Sequence, residues 1–112
     1  MSRRIVAPAV ALLTALAFAS FADSARAAQT VVDQHVLKFA PDSVTIKAGD
    51  TVRFTDTDHI THNITIVNPD GTAEDKGMDR YNEDIVVLFP KPGIYQVHCR
   101  IHPSMKMTVT VQ

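Results

Sequence analysis

The chain predicts an all-β fold: a two-sheet β-sandwich of Greek-key type, built from seven or eight short strands. Three observations carry this. Apolar and polar residues alternate in short runs of about four to eight residues. Turn signals made of Pro, Gly, Asn and Asp separate those runs. Beyond residue 27 no stretch shows the period of an amphipathic helix. That many half-buried strands in one small unit bury their apolar faces best as two packed sheets.

At 112 residues there is room for one domain, and the start is not part of it. Met1-Ser2-Arg3-Arg4 is a short basic head, residues 5–22 carry no charge, and Ala25-Arg26-Ala27 is a small-x-small cleavage pattern. This reads as a cleavable secretory signal peptide over 1–27, with a single domain over 28–112 exported to the periplasm. Pro8 and Asp23 bound the apolar segment, so a signal is expected rather than a membrane span. Residues 28–112 hold eight Lys/Arg and eleven Asp/Glu, a formal charge of −3. No basic run suggests nucleic acid or an anionic membrane surface as a partner, and a monomer is expected.

In chain order, Val31 to Phe39 reads as a first strand, stopped by Ala40-Pro41-Asp42. Ser43 to Lys47 sets Val44 and Ile46 against Thr45 and Lys47, and Ala48-Gly49-Asp50 turns the chain. Thr51 to Thr55 then puts Val52 and Phe54 on one face. Asp56 to Thr61 is a polar loop leading into the strand His62–Val67, whose parity aims His62 to the same side as Ile64 and Ile66. Asn68-Pro69-Asp70-Gly71 is a turn. The segment 72–82 is polar and reads as a loop with room for a short helical turn. Glu83 to Phe89 is a continuous apolar strand suited to burial. Pro90-Lys91-Pro92-Gly93 leads to the strand 94–99, where Tyr95, Val97 and Cys99 face inward and His98 outward. Met105, Met107, Val109 and Val111 share one face of the last strand.

The chemistry concentrates in Tyr95-Gln96-Val97-His98-Cys99-Arg100-Ile101-His102-Pro103-Ser104-Met105-Lys106-Met107. It contains the only cysteine, which in an exported protein has no disulfide partner. Cys-x-x-His-x-x-Met supplies a thiolate, an imidazole and a thioether, soft donors that suit copper. His62, inward at a strand end and followed by Asn63, supplies the second imidazole. His35 and His59 are expected at the surface.

With these residues in place the chain resembles the cupredoxins, the small blue-copper electron carriers, and is most similar to their amicyanin subgroup. The resemblance runs from Val44-Thr45-Ile46-Lys47-Ala48-Gly49-Asp50-Thr51-Val52 through His62-Asn63 to Gly93-Ile94-Tyr95-Gln96-Val97-His98-Cys99 and His102-Pro103-Ser104-Met105. It implies one type 1 copper ion held by His62, Cys99, His102 and Met105, with no catalytic residues. Met105 is preferred over Met107 as the axial ligand because family loops place it about four residues before the closing strand's apolar alternation. Here that alternation opens at Val109.

Two departures stand out. The subgroup's Thr-Pro between Cys and His is replaced by Arg100-Ile101. Loss of the hydroxyl predicts a missing cross-loop bond to Asn63, and the regained Ile101 N–H is expected to donate to the Cys99 sulfur. The resemblance further implies electron transfer through the exposed edge of His102, within a patch to which Pro103 and Met78 could belong. A c-type cytochrome and a dehydrogenase are the partner classes it suggests, with Asp56, Asp58, Asp70, Glu74, Asp75 and Asp79 as possible steering charges. The alternative is a copper-binding protein for storage, delivery or tolerance, but the chain has no Met- or His-rich run. Arg100 beside Cys99, and the lack of any His-x-His pair, argue against a multicopper enzyme. A thioether argues against structural zinc.

Overall fold

Nine strands are present among the described residues, 2–5 and 27–112, of the computed structural model. They are β1 (Gln29–His35), β2 (Lys38–Ala40), β3 (Ser43–Ile46), β4 (Thr51–Asp56), β5 (His62–Val67), β6 (Ala73–Asp79), β7 (Asp84–Leu88), β8 (Gly93–Cys99) and β9 (His102–Val111). The expected leader lies almost wholly outside the described residues. One sheet has the order β2-β1-β4-β7 and the other β3-β9-β8-β5-β6. The predicted sandwich is therefore the fold, with β1 parallel to β4 and β3 parallel to β9.

The predicted parities position the core. Val52 and Phe54 of β4 and Val32 of β1 are fully buried on one sheet. Facing them are Ile64 and Ile66 of β5, Tyr95 and Val97 of β8, and Met107, Val109 and Val111 of β9. Aromatic edges pack the core: Phe39 meets Phe54 of the same sheet at 6.1 Å, and Phe89, just after β7, meets Tyr95 of the other sheet at 5.1 Å between ring centres.

Three elements differ from expectation. The first strand is a hairpin, broken at Val36 and Leu37, whose φ angles are 51° and 56°. Two successive left-handed residues are the signature of a tight primed turn, which normally selects Gly or Asn. Here the Asp58 carboxylate offsets the strain by accepting both turn amides, Val36 N–H at 2.7 Å and Leu37 N–H at 3.1 Å. The polar segment 72–82 holds the edge strand β6, paired antiparallel to β5, in place of a loop with a helical turn. Its polarity follows from its exposed edge position. The apolar run around β7 is not buried on both faces. Val87 and Phe89 point inward, whereas Val86 and Leu88 are 54% and 57% exposed, because alternate residues of β7 lie on the outer face of the sandwich, which nothing among the described residues covers.

Candidate metal centre

Strand β5 starts at His62, and β8 and β9 meet in the Arg100-Ile101 turn, so three chain segments converge at one end of the sandwich. His62, Cys99 and His102 each bring one ligand atom there, all within 4.8 Å of one another. The Nδ1 atoms of the two histidines lie 3.2 Å apart, and Cys99 Sγ is 3.5 Å from His102 Nδ1. His62 and Cys99 are fully buried and His102 half-buried. Met105 and Met107 are both buried on the inner side of β9. His35 and His59 are exposed, and His59 stacks on Tyr81 with ring centres 4.0 Å apart. His98 lies on the outer side of β8, opposite Lys106. The inward and outward directions of these side chains follow the parity read from the sequence.

The donor set fits copper. One thiolate and two imidazoles converge in a space closed to solvent except beside His102, and Cys99 has no disulfide. The tautomer is fixed as well. His62 Nε2 donates to Asp58 Oδ2 at 2.8 Å, which leaves Nδ1 free to face the Cys99 and His102 donors. In the sequence Asp58 reads only as a loop charge. Only its spacing, four residues before His62, hinted at this role.

The hydrogen bond to the sulfur also differs from expectation. The Asn63 backbone N–H donates to Cys99 Sγ at 3.3 Å, and Ile101 makes no such bond among the described residues. Nor is the link from the loop to Asn63 lost with the missing hydroxyl. Asn63 Oδ1 accepts the Arg100 backbone N–H at 3.1 Å and the Thr65 hydroxyl at 2.7 Å.

Three of the supposed steering charges, Asp56, Asp58 and Asp79, are buried near His62. Only Asp70, Glu74 and Asp75 remain at the surface, and they sit on a turn and an edge strand. Burial pushes the Asp58 carboxyl up, but hydrogen bonds from His62, Leu37 and Val36 together hold it below its ordinary value. Asp79 goes the other way. Burial raises it, the Gln34 amide pulls it partly back and Asp56 adds repulsion, leaving it at about 6 against an ordinary 3.8.

The folded Asp79 carboxyl thus holds its proton more tightly than the unfolded one. Its contribution to stability is fully present below 3.8 and is lost as pH rises through about 6. Asp79→Asn should therefore stabilise the metal-free protein at about pH 8, by up to about 3 kcal/mol at roughly 1.4 kcal/mol per pH unit. It should change little near pH 3.5. Thermal melts at the two pH values check this, and an equal effect at both would contradict it.

Comparison with known proteins agrees with the geometry. Residues 26–112 match the family of copper binding proteins, plastocyanin/azurin family. Amicyanin-alpha of Methylorubrum extorquens is 38% identical over 90 residues, covering 79% of this chain and 76% of the relative. Plastocyanin of Ulva arasakii is 31% identical over 90 residues, covering 71% and 92%. Among solved structures, the reduced form of an amicyanin mutant superimposes with a TM-score of 0.70 at 28% identity, over 75% of this chain and 82% of that one. With the fold, the converging thiolate and imidazoles and these relatives in agreement, the chain belongs to the copper-binding plastocyanin/azurin family, the cupredoxins.

Proposed function

We propose that this protein is an exported electron carrier that would hold copper through His62, Cys99, His102 and Met105. The observation that carries the reading is the meeting of three soft or borderline donors in a pocket from which only His102 reaches toward solvent. When bound, copper supplies a one-electron couple between Cu(II) and Cu(I).

The protein's own work is to hold the donors still in both states. Asp58 fixes the His62 ring, and the Asn63 N–H moderates the electron donation of the Cys99 sulfur. The inner faces of β5, β8 and β9 bury the His62 and Cys99 side chains away from water. The half-buried His102 gives the route to a partner. Ile101 and Pro103 flank it and face outward, Ile101 being 44% exposed. Such an apolar rim suits brief contact with another redox protein. Similarity to amicyanin favours a dehydrogenase as donor and a c-type cytochrome as acceptor. Reading 1–27 as a cleavable leader supports a periplasmic location for the domain 28–112.

Cyclic voltammetry of the copper-loaded domain, with a mild chelator in excess, tests the reading. A reversible one-electron couple with copper retained is expected. Rapid handover of copper to the chelator would move the assignment to copper delivery or storage.

A further inference from the structure

We infer that Asp75 and Arg100 form a clamp that positions the copper-binding loop, and that through Asn63 they tune the Cys99 sulfur. This rests on the proposed copper site, since the effect is read at the thiolate. Asp75 Oδ1 accepts from Asn63 Nδ2 at 2.8 Å and from the Gly77 backbone N–H at 2.9 Å. The other oxygen of the same carboxylate, Oδ2, takes the Arg100 guanidinium at 3.1 Å. Asn63 Nδ2 also donates to Gly77 O at 2.9 Å. Counting the Thr65 and Arg100 bonds to its Oδ1, the Asn63 side chain uses its whole hydrogen-bonding capacity. Asp75 is thus the point where the strand carrying His62 and the loop carrying Cys99 and His102 are tied together.

The backbone makes this possible. Pairing between β5 and β6 slips between Asn63 and Thr65, so that Thr65 opposes Asp75 while Asn63 opposes Met78. The extra residue lies in β6, where Gly77 has a φ of 109°, a conformation that side-chain-bearing residues rarely adopt. Such a bulge re-aims a side chain, here the Asp75 carboxylate, toward Asn63. Met78 then lies against the guanidinium, its sulfur 3.7 Å from Arg100 Nη2.

Asp75 and Arg100 are both substantially exposed, with side chains 47% and 56% accessible. An exposed ion pair contributes little to global stability, so the clamp should show at the site and not in the melting temperature. Releasing it loosens Asn63 and weakens the N–H bond to Cys99 Sγ. The sulfur then donates more strongly, Cu(II) is favoured and the potential falls.

The test is the double variant Asp75→Ala/Arg100→Ala, which removes both ends of the clamp and leaves the net charge unchanged, so a change in net charge does not explain its effect. The expected result is a midpoint potential below wild type and Cu(II) lost to excess EDTA about tenfold faster, as when a ligand's supporting hydrogen bonds are removed. In the metal-free protein, the Arg100 amide should exchange its hydrogen faster. An unchanged or higher potential, or unchanged Arg100 exchange, would overturn the inference. If wild type itself shows no copper–thiolate absorption, the copper reading fails instead, and the exchange measurement still tests the clamp.

Discussion

Replacing Cys99 with serine should abolish the intense visible absorption of the copper-loaded protein and release copper to a mild chelator. Serine differs by one atom, and its oxygen can still accept the Asn63 N–H that Sγ accepts at 3.3 Å. Cys99 is fully buried among apolar neighbours that serine would leave in place. The sandwich should therefore survive, with a cost of about 1 kcal/mol from the weaker apolar burial. What disappears is the ionisable soft donor: a thiol deprotonates on binding a metal, whereas a hydroxyl of that size does so far less readily. The affinity loss should exceed the roughly 10–100-fold that follows loss of a ligand's hydrogen-bond partner. Copper stoichiometry after dialysis against chelator, read beside the spectrum and the melt, checks all three points. Retained copper with an unchanged band would show that the sulfur is not a ligand.

The second large effect separates Met105 from Met107. Both are buried, 0% and 2% exposed, on the same side of β9, so burial and parity alone do not distinguish them. With Met105 as axial ligand, Met105→Gln places a harder oxygen donor at the metal and should lower the potential, with the fold retained. Met107→Gln instead sets an unpaired amide among apolar core side chains. It should cost about 2–4 kcal/mol, a large share of the roughly 5–15 kcal/mol that holds such a domain together. Urea unfolding of the copper-loaded variants, in which only the amide at position 107 lacks a partner, gives the stability difference, and voltammetry gives the potentials. The opposite pattern, with Met107→Gln carrying the potential shift and Met105→Gln the stability loss, would exchange the two roles.

Side-chain parity made most of the site legible. Alternation around Ile64 and Ile66 turned His62 inward, alternation around Tyr95 and Val97 turned Cys99 inward, and both are buried in the structure. The missed features depend on contacts that no local pattern encodes. The Val36-Leu37 turn has no Gly or Asn to announce it and is held by Asp58, more than twenty residues away. Strand β6 looks like a polar loop because it is an exposed edge with a bulge, and its identity as a strand comes from pairing with β5. Asp56, Asp58 and Asp79 read as surface charges because their composition gives no sign of burial. Likewise, the donor to the Cys99 sulfur comes from Asn63 across the site, where a reading along the loop pointed to Ile101.

The proposed function turns on a copper–thiolate centre that cycles between two oxidation states. Its most direct test is the visible absorption spectrum of residues 28–112 with one equivalent of Cu(II), recorded before and after ascorbate. An intense charge-transfer band that bleaches on reduction and returns on reoxidation, with copper retained throughout, is the expected result. Weak absorption, with copper given up readily to a chelator, would contradict both the ligand role of Cys99 and the assignment as an electron carrier.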